Sequence, residues 1–346
     1  MSDTDQILDA AAAYVVLMDQ ADHARVLFGA ISLALSTTTC ASRTPEPAQP
    51  PIEFPAMAPA TSPPPPPLVH IQTDPNTVVT TQRPRSRPTY KTRRYQYVEG
   101  RPFTIDGAPR LANLARGVGW ADDVDLSGAR PTPTERDALV RHYTDWALAE
   151  HASIASFARF TLQLLALGAP PSLVSRSARA MADEIRHARF GFGLVRSLSG
   201  RDVTVAELSM DKALDGEVTL ESVLRLAVRE GIMGETFAAL EVRHVADLAE
   251  LPWLKAALEA IADDEARHAE LAFVFAAWAC ARSPELASVM AEEIAECDNP
   301  PLPTADGLAR WGVLDEKQRR AVRERSRKWC CRSCVDSISG LRRRGG

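Results

Sequence analysis

The sequence predicts an all-α fold: a four-helix bundle of two antiparallel hairpins joined by one long crossover, with extra C-terminal helices and a disordered N-terminal arm. Three observations carry this. Helical apolar periodicity sets in at Thr132 and persists, between clear stop signals, to about Arg282. The stretches "ADEIRHARFGF" (182–192) and "DDEARHAELAF" (263–273) are near repeats, each with Glu three places before His. Finally, short turns join the first helix to the second and the third to the fourth. About nineteen residues, 201–219, separate the second from the third.

Residues 1–43 hold one apolar run, "VLFGAISLALS" (26–36), too short to span a bilayer and of the length of a signal-peptide core. Two readings stay open. The segment is either a lipoprotein-type signal with translation starting at Met18 and Cys40 as the membrane tether, or a short amphipathic helix. The first places the chain at a bacterial cell envelope and the second in the cytoplasm. Residues 44–90 are proline-rich, "RTPEPAQPPIEFPAMAPATSPPPPPLVHIQ" onward, and cannot bury enough apolar surface to fold. They read as an extended spacer or a disordered arm. Residues 91–131 mix aromatic and basic side chains without a period and are expected to pack irregularly on the bundle.

The bundle, 132–282, opens on "TPTE": Thr132 as N-cap, Pro133 in the first turn and Glu135 closing a capping box. This helix runs to about Leu167, where Gly168 and Pro170-Pro171 stop it. The second covers about 172–199 and ends at Gly200; the third runs from near Thr219 to about 249; the fourth runs from Pro252 to about Arg282. Residues 283–346 hold a shorter helix after Ser283-Pro284, then a basic helix over about 315–338 and a cysteine-containing tail. The crossover, at about 3.3 Å per extended residue, is long enough to traverse the whole bundle.

Composition excludes some classes. A net charge of −5 over 346 residues gives no footprint for nucleic acid. The six cysteines form no spaced thiolate framework for zinc or iron–sulfur, and Cys330, Cys331 and Cys334 read as small residues near a basic tail.

Chemistry concentrates in the repeated motif. Glu184 and His187 share one helix face, and Glu265 and His268 repeat that geometry. "EHASIASFARF" from Glu150 aligns with "EGIMGETFAAL" from Glu230, and the offset of 80 matches the 81 between Glu184 and Glu265. A whole hairpin is therefore duplicated. Glu150 lies about 26 Å of helix below its turn and Glu184 about 20 Å beyond it, so the two meet at similar height; Glu230 and Glu265 do the same. Both glutamates lie on apolar stripes, Tyr143, Trp146, Ala147, Ile154 and Phe157 for the first, Val223, Leu226, Ala227, Met233 and Phe237 for the second. Buried unpartnered carboxylates are costly, and four at one level repel. Two divalent cations resolve both problems. The expected ligands are Glu150, Glu184, His187, Glu230, Glu265 and His268. Glu235 falls about 140° from Glu230 on the helical wheel and is left out. A lone ExxH is an ordinary solvated pair; two of them, each matched to a Glu on an apolar face, are not. Asp183 and Asp264 either orient ligands or face solvent, while His151 and Glu270 read as peripheral and Tyr143 as packing.

A Glu from each of two helices plus ExxH from two others resembles the ferritin-like di-iron carboxylate superfamily, nearest to its rubrerythrin-type and small bacterial members. The resemblance covers 132–282. It implies two iron ions, with iron–manganese or manganese as alternatives. It makes Glu184 and Glu265 bridging ligands, Glu150 and Glu230 terminal ones, and gives one histidine to each metal. Dioxygen or peroxide, with an unidentified reductant or substrate, are the implied partners of a non-haem oxidoreductase. Non-catalytic iron binding or detoxification is the alternative, and a purely structural bundle a third. No rubredoxin-like CxxC module is attached, and Met233 stands where rubrerythrin has an extra Glu. The proline-rich tract speaks against a ferritin storage shell.

Overall fold

The computed structural model describes residues 100–126, 128–296, 307–324 and 326–327. The proposed signal segment, the proline-rich tract, the rest of the basic helix beyond 327, and every cysteine except Cys280 lie outside the described residues. What is described is predominantly helical, as an all-α fold requires.

Helix α1 spans Pro133–Ala166, and its start is set by local chemistry: Thr132 Oγ1 accepts from the Glu135 amide while the Glu135 carboxylate accepts from the Thr132 amide. Helix α2, Pro171–Ser199, ends on Gly200, whose φ of 66° terminates the last turn at no Cβ cost. Thr219 and Ser222 form a second capping box at the head of α3, Leu220–Leu226. The chain continues helically without a break, but Ala227–Glu235 is wound as a π-helix before α4, Thr236–Leu248. The single α-helix expected over about 219–249 is thus interrupted where it was expected to carry a ligand. Pro252 opens α5, Pro252–Arg282, and α6 covers Leu286–Glu296. Residues 316–324 are also helical.

Side-chain contacts give the pairing. Gly191 lies against Ala147 and Ser177 against Phe157, so α1 and α2 run antiparallel. Gly231 lies against Ala272, and Arg243 pairs with Asp263, which sets the π-segment and α4 antiparallel to α5. Helices α2 and α5 meet through His187–Asp264 and His268–Asp183. One apolar cluster holds Phe157, Phe160, Leu173, Ile232, Phe237 and Phe275, and a second holds Leu139, Tyr143, Trp146, Phe192 and Val313. The acidic residues discussed below lie between the two along the helices.

The segment before α1 carries two small antiparallel pairings. Strands β1 (Thr104–Ile105) and β2 (Ala108–Pro109) form a hairpin around Asp106 and Gly107, both at positive φ, as a tight hairpin turn demands. Strand β3 (Leu114–Ala115) pairs with β4 (Thr204–Val205) from the crossover. Arg101 departs from the surface expectation for a basic residue. It is fully buried, its guanidinium 4.7 Å from the Phe157 ring centre and 4.5 Å from that of Phe160. Among the described residues no helix is long and apolar enough to cross a membrane.

Candidate metal centre

Four helical elements bring a buried cluster of carboxylates and imidazoles together. Glu150 comes from α1, Glu184 and His187 from α2, Glu235 from the end of the π-segment, and Glu265 and His268 from α5; all are at most 3% exposed. The donors fall into two overlapping groups, Glu150, Glu184, His187 and Glu265, and Glu184, Glu235, Glu265 and His268. Within each group one atom per residue lies within 4.8 Å of the others. Glu184 and Glu265 belong to both, so they stand between the two positions. Such a cluster can hold metal.

His187 Nδ1 is 3.2 Å from Glu265 Oε1, 3.5 Å from Glu150 Oε2 and 3.7 Å from Glu184 Oε2. His268 Nδ1 is 3.1 Å from Glu184 Oε1 and 3.5 Å from Glu265 Oε2. The other nitrogen of each ring faces an aspartate on the opposite helix: His187 Nε2 is 3.1 Å from Asp264 Oδ2, and His268 Nε2 is 3.2 Å from Asp183 Oδ2. A carboxylate only accepts, so both Nε2 atoms carry their protons and donate. In the neutral rings both Nδ1 lone pairs then point at carboxylates. Arg186 and Arg267 pair with both aspartates and balance their charge. The alternatives left open for Asp183 and Asp264 are thereby resolved: each orients an imidazole.

Seven polar atoms of the centre lack a hydrogen bond. Glu150 Oε2, Glu184 Oε2, both Glu235 oxygens, Glu265 Oε2, His187 Nδ1 and His268 Nδ1 are buried without a hydrogen-bond partner. Acceptor facing acceptor in a dry interior is strongly unfavourable unless positive charge lies between them. Protons are one source. Burial, followed by the charge of Glu184, pushes the Glu150 carboxyl well above its usual range, and burial with Glu265 does the same to Glu235. Burial alone would depress His187 and His268. The surrounding carboxylates, together with Asp183 for His268, outweigh it and raise both well above normal. Burial would likewise raise Glu184 and Glu265, but the two imidazoles hold both below the ordinary carboxylate range. Metal cations are the other source. Four carboxylates neutralise two divalent ions, and one imidazole falls to each, a donor set suited to iron or manganese.

Five of the six expected ligand residues converge here; Glu230 does not. Its Oε1 accepts from Arg159 Nη2 at 2.8 Å and from Thr104 Oγ1 at 2.9 Å, while Oε2 accepts from Ser156 Oγ at 3.0 Å with Arg101 Nε at 3.9 Å. A carboxylate already neutralised by two buried guanidiniums cannot serve a metal without stranding them. Glu235, excluded by the wheel, takes the place instead. The reason is the π-winding: each i→i+5 turn takes in one residue more than an α-turn. One added residue rotates everything beyond it by about 100°, so a 140° separation computed for an α-helix no longer holds. The sequence carries a faint signal for this in Gly231 and Gly234, poor formers of a regular helix interior. A Cβ at Gly231 would come within 2.5 Å of the Ala272 Cβ, so glycine also permits the close approach of α5.

The peripheral residues are settled too. His151 meets Trp120 edge-on at 4.7 Å, Glu270 pairs with Arg176, and the buried Tyr143 hydroxyl donates to the Trp311 carbonyl at 2.5 Å.

No protein-family model, curated protein or solved structure matches the chain. What can be said of function therefore rests on the geometry.

Proposed function

We propose that this chain is a dimetal carboxylate protein of ferritin-like four-helix architecture, holding two iron ions, or iron with manganese, and acting as an oxidoreductase on dioxygen or peroxide. The observation that carries the reading is the set of seven buried ligand-type atoms that lack a hydrogen bond, on residues that fall into two overlapping groups, with each imidazole fixed by an aspartate behind it. An ion-pair network built for stability would leave no such set.

Glu150, Glu184, His187 and Glu265 would hold one metal, and Glu184, Glu235, Glu265 and His268 the other, so that Glu184 and Glu265 serve both. When bound, such a pair supplies reversible one-electron changes beside an oxygen-donor shell. The protein's own contribution is to keep the imidazoles in one tautomer through Asp183 and Asp264, to exclude water with two apolar clusters, and to balance charge with Arg186 and Arg267.

The test is to load the full chain with Fe(II) without oxygen, count bound iron, then admit dioxygen or peroxide and follow both its consumption and the visible spectrum. Two irons per chain with repeated consumption in the presence of a reductant is the expected result. Two irons with a single stoichiometric oxidation would instead favour metal sequestration. Failure to bind iron, or equal binding after Glu184→Ala and Glu265→Ala together, would sink both.

A further inference from the structure

Beside the cluster lies a cavity of about 40 Å³ lined in part by Glu150 and Glu265. Its walls include Tyr143 and Trp146 of α1, Ala238 and Val245 of α4, Leu258 of α5, and Gly312 and Leu314 from the C-terminal segment. Glu184, His187, Glu235 and His268 do not border it. Two of these have other neighbours: Gly100 lies over the Glu235 carboxylate, and the Phe157 ring stands edge-on to His268 at 5.0 Å. The cavity thus meets the cluster at Glu150, which belongs to the first donor group alone, and at Glu265, which belongs to both.

We propose that this cavity is the binding and entry site for a ligand of two or three heavy atoms (dioxygen, hydrogen peroxide or a triatomic anion), which meets the centre along its Glu150–Glu265 edge. The inference rests on the dimetal reading above and narrows it to a substrate class.

Size is the first argument. A buried water needs about 10–15 Å³ of such space, so the cavity takes roughly three water-sized bodies, while a benzene-sized guest needs about 150 Å³. An aromatic or long aliphatic substrate does not fit. Lining chemistry is the second. Apolar side chains make up much of the wall; its polar residues are His142, Glu150 and Glu265, with the buried Glu241 and Arg319 paired to each other at 3.4 Å. A small ligand of low charge crosses such a wall at little desolvation cost. The third argument is how closely the wall is fitted at Gly312. Gly312 has φ of 82°, and a Cβ there would come within 2.7 Å of the Tyr143 hydroxyl and 3.2 Å of Leu258 Cδ1. The C-terminal segment is held against this cavity by Tyr143 Oη donating to the Trp311 carbonyl, and by Glu241 receiving both Arg319 and Arg323.

The test uses the full chain loaded with Co(II), whose visible bands report each metal's ligands without turnover, and azide and benzoate as probes. The parent is expected to bind two Co(II) and one azide per chain, and no benzoate. Ala238→Leu, which fills the cavity, should keep two Co(II) and weaken azide binding at least tenfold. Leu314→Ala, which widens it, should admit benzoate. Two azides per chain, benzoate bound by the parent, or azide binding unchanged in Ala238→Leu would overturn the cavity's role while leaving the dimetal reading intact. If Ala238→Leu loses cobalt, Leu314→Ala decides: continued exclusion of benzoate counts against the proposal. A parent that binds no Co(II) overturns the dimetal reading and the cavity's role together.

Discussion

Asp183 is next in sequence to Glu184, yet its carboxylate serves His268 on a different helix, 3.2 Å away. Asp264, next to Glu265, answers with His187 at 3.1 Å. Each ExxH helix therefore supplies two donors to the cluster and an orienting group for the other helix's imidazole. Burial would raise Asp183, but bonds from His268 and Arg186 outweigh it and bring it down to about 2, so it stays an acceptor at any ordinary pH.

Asp183→Asn is expected to leave the helices intact and to weaken metal binding by about 10–100-fold, because an amide no longer enforces the tautomer that turns Nδ1 inward. Competition titrations with a chelating dye would measure it. Affinity equal to the parent's would mean that the aspartate is only a counter-ion for Arg186 and Arg267.

Glu230 and Glu235 should respond oppositely to the same change. Glu235→Gln should drop bound metal from two to one per chain with little loss of thermal stability. Glu230→Gln should keep both metals but cost about 3–5 kcal/mol, since it leaves the buried Arg101 and Arg159 guanidiniums without their shared carboxylate. Metal analysis and denaturant melts on the two variants separate the roles, and a reversal of the pattern would restore Glu230 as the ligand.

The metal-free protein should have its stability maximum at mildly acidic pH. Glu150 and Glu235 have raised folded pKa values, so their contribution is whole below the ordinary carboxylate range and is lost as pH rises through the folded values. His187 and His268, also raised, act in the same direction from the ordinary histidine range upward. Glu184 and Glu265, depressed, contribute above the ordinary carboxylate range and lose that contribution as pH falls through their folded values. Metal loading must displace protons from this donor set, so the loaded protein should instead gain stability as pH rises toward neutrality. Melting curves of both forms across pH would show it; parallel profiles would not be compatible with a metal-binding cluster.

Glu241→Ala removes the carboxylate shared by Arg319 and Arg323, all three being buried. The expected cost is about 3–5 kcal/mol, with early proteolytic cleavage near 307–324 and the α1–α2 hairpin still protected. Uniform protection across the chain would show that this segment is held by its apolar contacts instead.

Much of this arrangement was legible where local chemistry decides. Thr132 with Glu135, Gly200, Thr219 and Pro252 mark helix ends through hydrogen bonds or backbone constraints confined to a few neighbours, and the structure puts helix ends at each. The i, i+3 spacing of Glu184 with His187 and Glu265 with His268 likewise needs only a regular helix. Legibility failed where the helix stopped being regular. Aligning Glu150 with Glu230 is correct as a repeat of letters, but the π-segment turns the second copy so that its next acid, Glu235, faces the cluster. Arg101 was out of reach for a different reason. It enters the interior from a segment with no period, drawn by Glu230, Ser156 and two phenylalanine rings far along the chain, and no short window of sequence contains them.

The reciprocal hold of α2 and α5 has a bearing on how such a molecule could arise. A hairpin on its own would carry a histidine without its steadying aspartate, so half of this protein is not half of the cluster. Two copies side by side complete each other at once, and fusing them into one chain preserves a partnership that free association could only supply at high concentration.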